Sequence, residues 1–240
     1  MEEKMKKFRL LAVIVSAIMI CMMITGCGNE KAEESSETSV KGGSGIDYMV
    51  LVNKENKLPD SWEEALDTVK IKDSQGWDVE VEKAAYDAYL KLKKALEKED
   101  VHVDLDSAYR SVKEQKRIVK EFTEKYGEDY VKEYVAVPGY SEHHTGLALD
   151  LYLNIDGKDI YENEDMVKYP KVWAKIHEKL ADYGFILRYM EGKEDITGYS
   201  YEPWHLRYIG DEDVAKEITE KGLTLEEYLD KVPEPVEKAE

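Results

Sequence analysis

Cysteine is almost missing from this chain: its two copies, Cys21 and Cys27, both fall within the first 27 residues. The remainder can form neither a disulfide nor a thiolate metal site, so any metal must be held by His, Asp or Glu. Histidine is also scarce, with five copies in 240 residues, and the adjacent pair His143 and His144 stands out for that reason. Positive charge is short as well. Lys and Arg number 34 against 52 Asp and Glu, a formal net charge of −18. Nucleic acid is excluded as a partner, because neutralising phosphates requires clustered Lys and Arg. The sequence shows no internal repeat and no low-complexity core, and its length suits one substantial domain with appendages.

The opening "MEEKMKKFRLLAVIVSAIMICMMITGCGNE" places Lys4, Lys6, Lys7 and Arg9 before an apolar run from Leu10 to Ile24, the layout of an export signal. A bilayer span needs about 20 apolar residues, so the run is short for an anchor. It ends in "ITGC", which resembles the lipobox of bacterial lipoproteins. Residues 1–26 are therefore expected to be a lipoprotein signal peptide, with Cys27 the lipidated first residue of the mature chain. Residues 27–45 continue in Ser, Glu and Gly with almost no apolar side chains, a composition that cannot bury enough surface to fold. They are expected to tether a domain at 46–232 to the outer face of the cell membrane, and 233–240 to form a frayed tail.

Within the domain, "YMVLVN" reads as a short strand or as a segment packed on the core. "VEKAAYDAYLKLKKALEKED" brings Ala85, Tyr89, Leu92 and Leu96 onto one helical face. "VHVDLD" alternates, predicting a strand with Val101, Val103 and Leu105 inward and His102, Asp104 and Asp106 outward. In "SAYRSVKEQKRIVKEF" the period changes. Ser111 and Glu114 form a capping-box pattern ahead of a helix that turns Ile118, Val119 and Phe122 inward, which leaves Arg110 at a strand-to-helix junction. Pro170 suits the first turn of a helix and Gly184 its end. "FILRY" and "WHLRYI" read as strands, and helices capped by Asp211 and Thr224 close the chain. The expected fold is α+β: a mainly antiparallel sheet with helices packed around it.

Two stretches carry chemistry. In "SEHHTGLALD", Gly146, Ala148 and Asp150 alternate and would share one strand face, the small residues leaving room beside Asp150. A carboxylate between Leu149 and Leu151 is costly to bury unless it is paired or binds a cation. In "EPWHLRY", Pro203 argues against a helix through Glu202 and His205. An extended segment would put His205 on a metal and leave Glu202 free to take a proton. Two histidines and a carboxylate with an open position make a catalytic zinc site, and His143, Asp150, His205 and Glu202 fill that formula.

Ser141 to Asp150 as S-x-H-x-x-G-x-A-x-D, followed by Glu202 to His205 as E-x-W-H, resembles the D-alanyl-D-alanine carboxypeptidase family of VanY type, zinc peptidases of the cell wall with a LAS-like fold. "SAYRS" and "LVNKENKLP" extend the resemblance over most of residues 46–230. It implies that His143, Asp150 and His205 bind Zn2+, that Glu202 is the general base, and that Arg110 steadies the substrate carbonyl or its oxyanion. The implied partner is a peptidoglycan stem peptide, with Ser107, Gln115 and Ser141 as peptide contacts; no protein partner is implied. Ser141 is equally readable as a turn residue and Gln115 as a solvated helix position. Arg188 would bind the substrate's terminal carboxylate or pair with a surface acid. His144 reads as a support or solvent-facing residue, His102 and His177 as structural, and Trp204 as pocket wall or core. Two other activities share these motifs: an L,D-carboxypeptidase acting on tetrapeptide stems, and a wall-binding module without hydrolysis.

Overall fold

The computed structural model describes residues 45–232. The expected signal peptide, Cys27, the tether up to residue 44 and the tail at 233–240 lie outside the described residues. In chain order the helices are α1 (Trp62–Ala65), α2 (Lys83–Glu97), α3 (Val112–Tyr126), α4 (Glu128–Tyr134), α5 (Asn163–Met166), α6 (Pro170–Leu180), α7 (Glu194–Thr197), α8 (Glu212–Lys221) and α9 (Leu225–Tyr228). The strands are β1 (Thr68–Lys72), β2 (Asp78–Glu82), β3 (His102–Ser107), β4 (Ala148–Ile155), β5 (Lys158–Ile160), β6 (Phe185–Leu187) and β7 (His205–Tyr208). Short 3-10 turns occupy Glu142–Thr145 and Ala181–Tyr183.

The main sheet runs β3-β4-β7-β6, with β5 paired to the far end of β4. Every pairing is antiparallel, and the α+β expectation holds. Alternation sorts the side chains onto two faces. Leu149, Leu151, Phe185 and Leu206 enter a core with Tyr89, Leu92 and Leu96 of α2 and Trp173, Ile176 and Leu180 of α6. Ile186 and Ile209 join a second cluster with Met49, Leu51, Ala215, Ile218 and Leu225, so α8, α9 and the leading segment are covered together. Asp150, His205 and Arg207 alternate with the core leucines.

Local chemistry explains the element ends. Ser111 accepts from Glu114 N at 3.1 Å, although the Glu114 carboxylate turns to Arg117 and does not complete the box. Thr224 and Glu227 do complete one, and Asp211 caps α8 through Asp213 N and Val214 N. Pro170 opens α6, where its missing N–H costs nothing.

Several expectations change. "YMVLVN" forms no strand; it is the packed segment, with Tyr48, Met49, Leu51 and Val52 buried. The β1–β2 hairpin was not expected, although "TVKIK" and "DVEVE" alternate as strands do. Asp104 is not solvated: it is 9% exposed, accepts from Ser74 N and Tyr89 Oη, and pairs with Lys93. Ile118, Val119 and Phe122 are only half-buried, and Gln115 is the buried residue of α3. The reason is that α3 packs largely against α4, through Phe122, Tyr126 and Tyr130. Gly146 precedes β4 and ends the 3-10 turn at φ 73°.

Gly210 shows how tightly the leading segment is seated. It has φ +81°, and a Cβ there would lie 2.1 Å from Cδ2 of Tyr48. Gly210→Ala should therefore destabilise the domain by more than about 1 kcal/mol, read as a lower urea midpoint with an unchanged m-value.

Candidate metal centre

The centre is assembled by strand register. Asp150 on β4 is the direct cross-strand partner of His205 on β7, so both side chains leave the sheet on the same face. Ser107 on β3 pairs with Asp150 from the other side, after an irregularity between Leu105 and Ser107. The 3-10 turn ahead of β4 then delivers His143. Among the described residues, His143, Asp150 and His205 offer ligand atoms that all lie within 4.8 Å of one another.

One ring nitrogen of each histidine is engaged away from the centre, and the other faces it. His143 Nδ1 bonds the carbonyl of Ala108 at 2.8 Å, leaving Nε2 3.1 Å from Asp150 Oδ2. His205 Nε2 bonds Glu142 Oε2 at 3.0 Å, leaving Nδ1 2.9 Å from Asp150 Oδ1. That contact lacks the alignment of a hydrogen bond, and Oδ1 is a buried atom without a hydrogen-bond partner. Acceptors converging in this way call for a cation between them. The donor set of two imidazoles and one carboxylate is that of a catalytic zinc site.

The electrostatics agree. Burial opposes ionisation of Asp150, but His143 and His205 outweigh it and hold the carboxyl well below its usual range. Burial lowers His143 and favours the neutral imidazole that a metal requires. Burial also raises Glu202, with Asp150 and Glu142 adding to it, up to about 7. Glu202 Oε2 lies 3.7 Å from His205 Nδ1, with the side chain 30% exposed. It is close enough to act beside the metal and open enough to meet water.

Arg110 is braced on the neighbouring side. Its Nη1 donates to Gln115 Oε1 and its Nη2 to Ser107 Oγ, both at 3.1 Å. Its backbone N–H donates to the carbonyl of His143. Gln115, 1% exposed, also donates to Ala136 O at 2.7 Å, so it is not a solvated helix position. Ser107 and Gln115 thus hold the guanidinium. Ser141 is buried and opens the 3-10 turn, in line with its reading as a turn residue.

The remaining residues resolve as follows. His144 is a support: Nδ1 bonds Arg110 O at 2.6 Å and Nε2 accepts from Gly139 N at 3.0 Å. His177 bonds Pro203 O at 2.9 Å and steadies the segment between Glu202 and His205. His102 is exposed beside Asp100, and Trp204 belongs to the core. Arg188 departs from both of its readings. It is fully buried and bound to Glu142 and Glu226, so it meets neither a surface acid nor open space. Sequence reasoning missed Glu142, Arg207 and Glu226. Arg207 was open to detection, since period two places it on the His205 face of β7.

A metal triad on an antiparallel sheet and the turn that leads into it, with a carboxylate beside it and a braced arginine close enough to act on Asp150 electrostatically, has the make-up of a metallopeptidase centre. A family model described as VanY, D-alanyl-D-alanine carboxypeptidase, matches residues 78–211. The putative carboxypeptidase YodJ of Bacillus subtilis is 40% identical over 189 residues, 77% of this chain and 67% of that protein. Among solved structures, the vancomycin-resistance D,D-pentapeptidase VanY with Zn(II) aligns with a TM-score of 0.61 at 33% identity, covering 76% of this chain and 98% of that one. The LD-carboxypeptidase LdcB aligns at 0.67 and 36% identity, covering 78% and 87%. The chain belongs to the VanY family of D-alanyl-D-alanine carboxypeptidases, and it is a zinc carboxypeptidase.

His205→Ala should lose both zinc and turnover, whereas His144→Ala should keep stoichiometric zinc; metal analysis of the purified variants checks both. In the metal-free chain, burial disfavours the His205 imidazolium, but Asp150 and Glu142 prevail and push it up to about 10. Zinc must then displace a proton, and apparent affinity should rise with pH through the neutral range. Calorimetry in buffers of different ionisation enthalpy should count about one released proton. A count of zero would contradict it.

Proposed function

We propose that the chain removes the C-terminal D-alanine from peptidoglycan stem peptides ending in D-Ala-D-Ala. The observation that carries this reading is the position of Glu202, beside the His143, Asp150 and His205 triad and 3.7 Å from His205 Nδ1. His143 Nε2, Asp150 and His205 Nδ1 would hold zinc, which when bound supplies a Lewis acid that polarises a carbonyl and lowers the pKa of water. Glu202 takes the proton of the attacking water and returns it to the departing amine of D-alanine. A carboxylate is a base strong enough for the first half of that transfer and, once protonated, an acid for the second. Arg110 presents guanidinium donors to the charge that develops on the carbonyl oxygen.

An L,D-carboxypeptidase acting on tetrapeptide stems is the second reading, favoured by the likeness to LdcB, with its TM-score of 0.67. Pentapeptide and tetrapeptide substrates assayed in parallel separate the two. D-alanine release from the pentapeptide is expected to dominate, and release confined to the tetrapeptide would move the assignment to L,D cleavage. Glu202→Gln should keep its zinc and lose roughly 10²–10⁴-fold in kcat, because an amide cannot take the proton. Wild-type turnover in that variant would end the general-base role.

The place of action is part of the same proposal. Basic residues, an apolar run and "ITGC" in sequence support a lipid-anchored protein on the outer face of the membrane. An eighteen-residue tether after Cys27 has a mean reach on the order of 20–25 Å, which favours membrane-proximal peptides as substrates. Cys27→Ala should leave the membrane fraction or retain an uncleaved leader. Wild-type fractionation and maturation would rule the anchor out.

A further inference from the structure

Glu142 lies between Ser141 and the first metal ligand and takes no part in the chemistry above. Its side chain is 0% exposed, yet it gathers three donors. Oε1 accepts from Arg188 Nε at 2.8 Å and Arg207 Nη1 at 2.7 Å, and Oε2 from His205 Nε2 at 3.0 Å. Arg188 then forks onto Glu226 of α9, with Nη1 to Oε2 at 2.9 Å and Nη2 to Oε1 at 2.6 Å. Asn53 adds a bond to Glu226 at 3.1 Å. Arg207 Nη2 donates to the carbonyls of Tyr48 and Val50 at 2.7 and 2.8 Å.

Buried ion pairs are poor stabilisers, because desolvation offsets most of their attraction. What this network does supply is orientation, and its contact with the metal centre is His205 Nε2. We propose that Glu142 is a positioning residue of the zinc site: it keeps the His205 proton on Nε2 and reserves Nδ1 for the metal, while Arg188, Arg207 and Glu226 hold its carboxylate in that pose. Within the network two carboxylates balance two guanidiniums. α9 and the segment around Asn53 contribute no ligand, yet they belong to the construction of the centre.

The chemistry of glutamine at position 142 makes the idea testable. An amide has one acceptor oxygen and one donor group. Facing two guanidiniums and an imidazole, it satisfies the arginines with its oxygen and turns its NH2 toward His205. The imidazole can then accept only at an unprotonated Nε2, and its proton moves to Nδ1, where zinc must bind.

The inference rests on the zinc site and is independent of the substrate. In zinc-loaded full-length protein labelled with 15N-histidine, long-range 1H–15N spectra should show His205 protonated at Nε2. By chelator competition, Glu142→Gln should bind zinc roughly 10–100-fold more weakly, and Glu226→Gln should shift affinity the same way by less. Leu92→Ala, a core truncation on α2, should lose stability and keep wild-type zinc affinity. Wild-type zinc affinity in folded Glu142→Gln, or an unprotonated Nε2 in the zinc-loaded wild type, overturns the proposal. The second measurement needs no variant and decides the matter if Glu142→Gln does not fold. Absence of D-alanine release would remove the proposed function and leave this inference standing.

Discussion

Asp150 faces His205 across β4 and β7, and because successive strand residues alternate between faces, the pairing that sets these ligands together also sends Leu149, Leu151 and Leu206 into the core. A slip of one residue would exchange the two sets. Ligands would enter an apolar layer and leucines would face water. Core packing and metal geometry therefore select the same register, and no separate device is needed to align the site. The neighbouring pair, Ser107 with Asp150, carries the same logic to Arg110, whose guanidinium donates to Ser107 Oγ.

Three arginines surround the centre in two electrical conditions. Arg188 and Arg207 are neutralised at contact by Glu142 and Glu226. Arg110 is held by the neutral groups of Ser107 and Gln115. Its charge is fixed in place without being spent on a contacting carboxylate, the condition under which a preorganised donor acts on developing negative charge. The first two arginines organise the protein, and the third keeps its charge beside Asp150.

Much of this was legible in the sequence because the signals were local. The His143, Asp150, Glu202 and His205 spacings, the caps at Ser111, Asp211 and Thr224, and the helical stripe of α2 each depend on neighbours a few residues away. What stayed hidden was long-range. Arg188 and Glu226 are 38 residues apart, and nothing near Arg188 tells a buried partner from a surface one. Asp104 looked solvated because strand alternation says nothing of a hairpin turn arriving from Ser74. Gln115 looked solvated because α3 is polar around it, while its partners, Arg110 and Ala136, come from either side of the α3–α4 pair.

That pair of helices gives the molecule an uneven resistance to opening. α3 and α4 cover one another with half-exposed aromatic rings, and α3 sends one buried side chain, Gln115, into the body of the protein. Segments with few buried apolar contacts open at lower free energy than the core. Two of the three metal residues, Asp150 and His205, sit on the central strands, and His143 on the buried turn that leads into them, at the other end of that scale. Warming should therefore loosen the brace on Arg110 while zinc is still held, so that the enzyme passes through a metal-loaded, poorly reacting state before it unfolds.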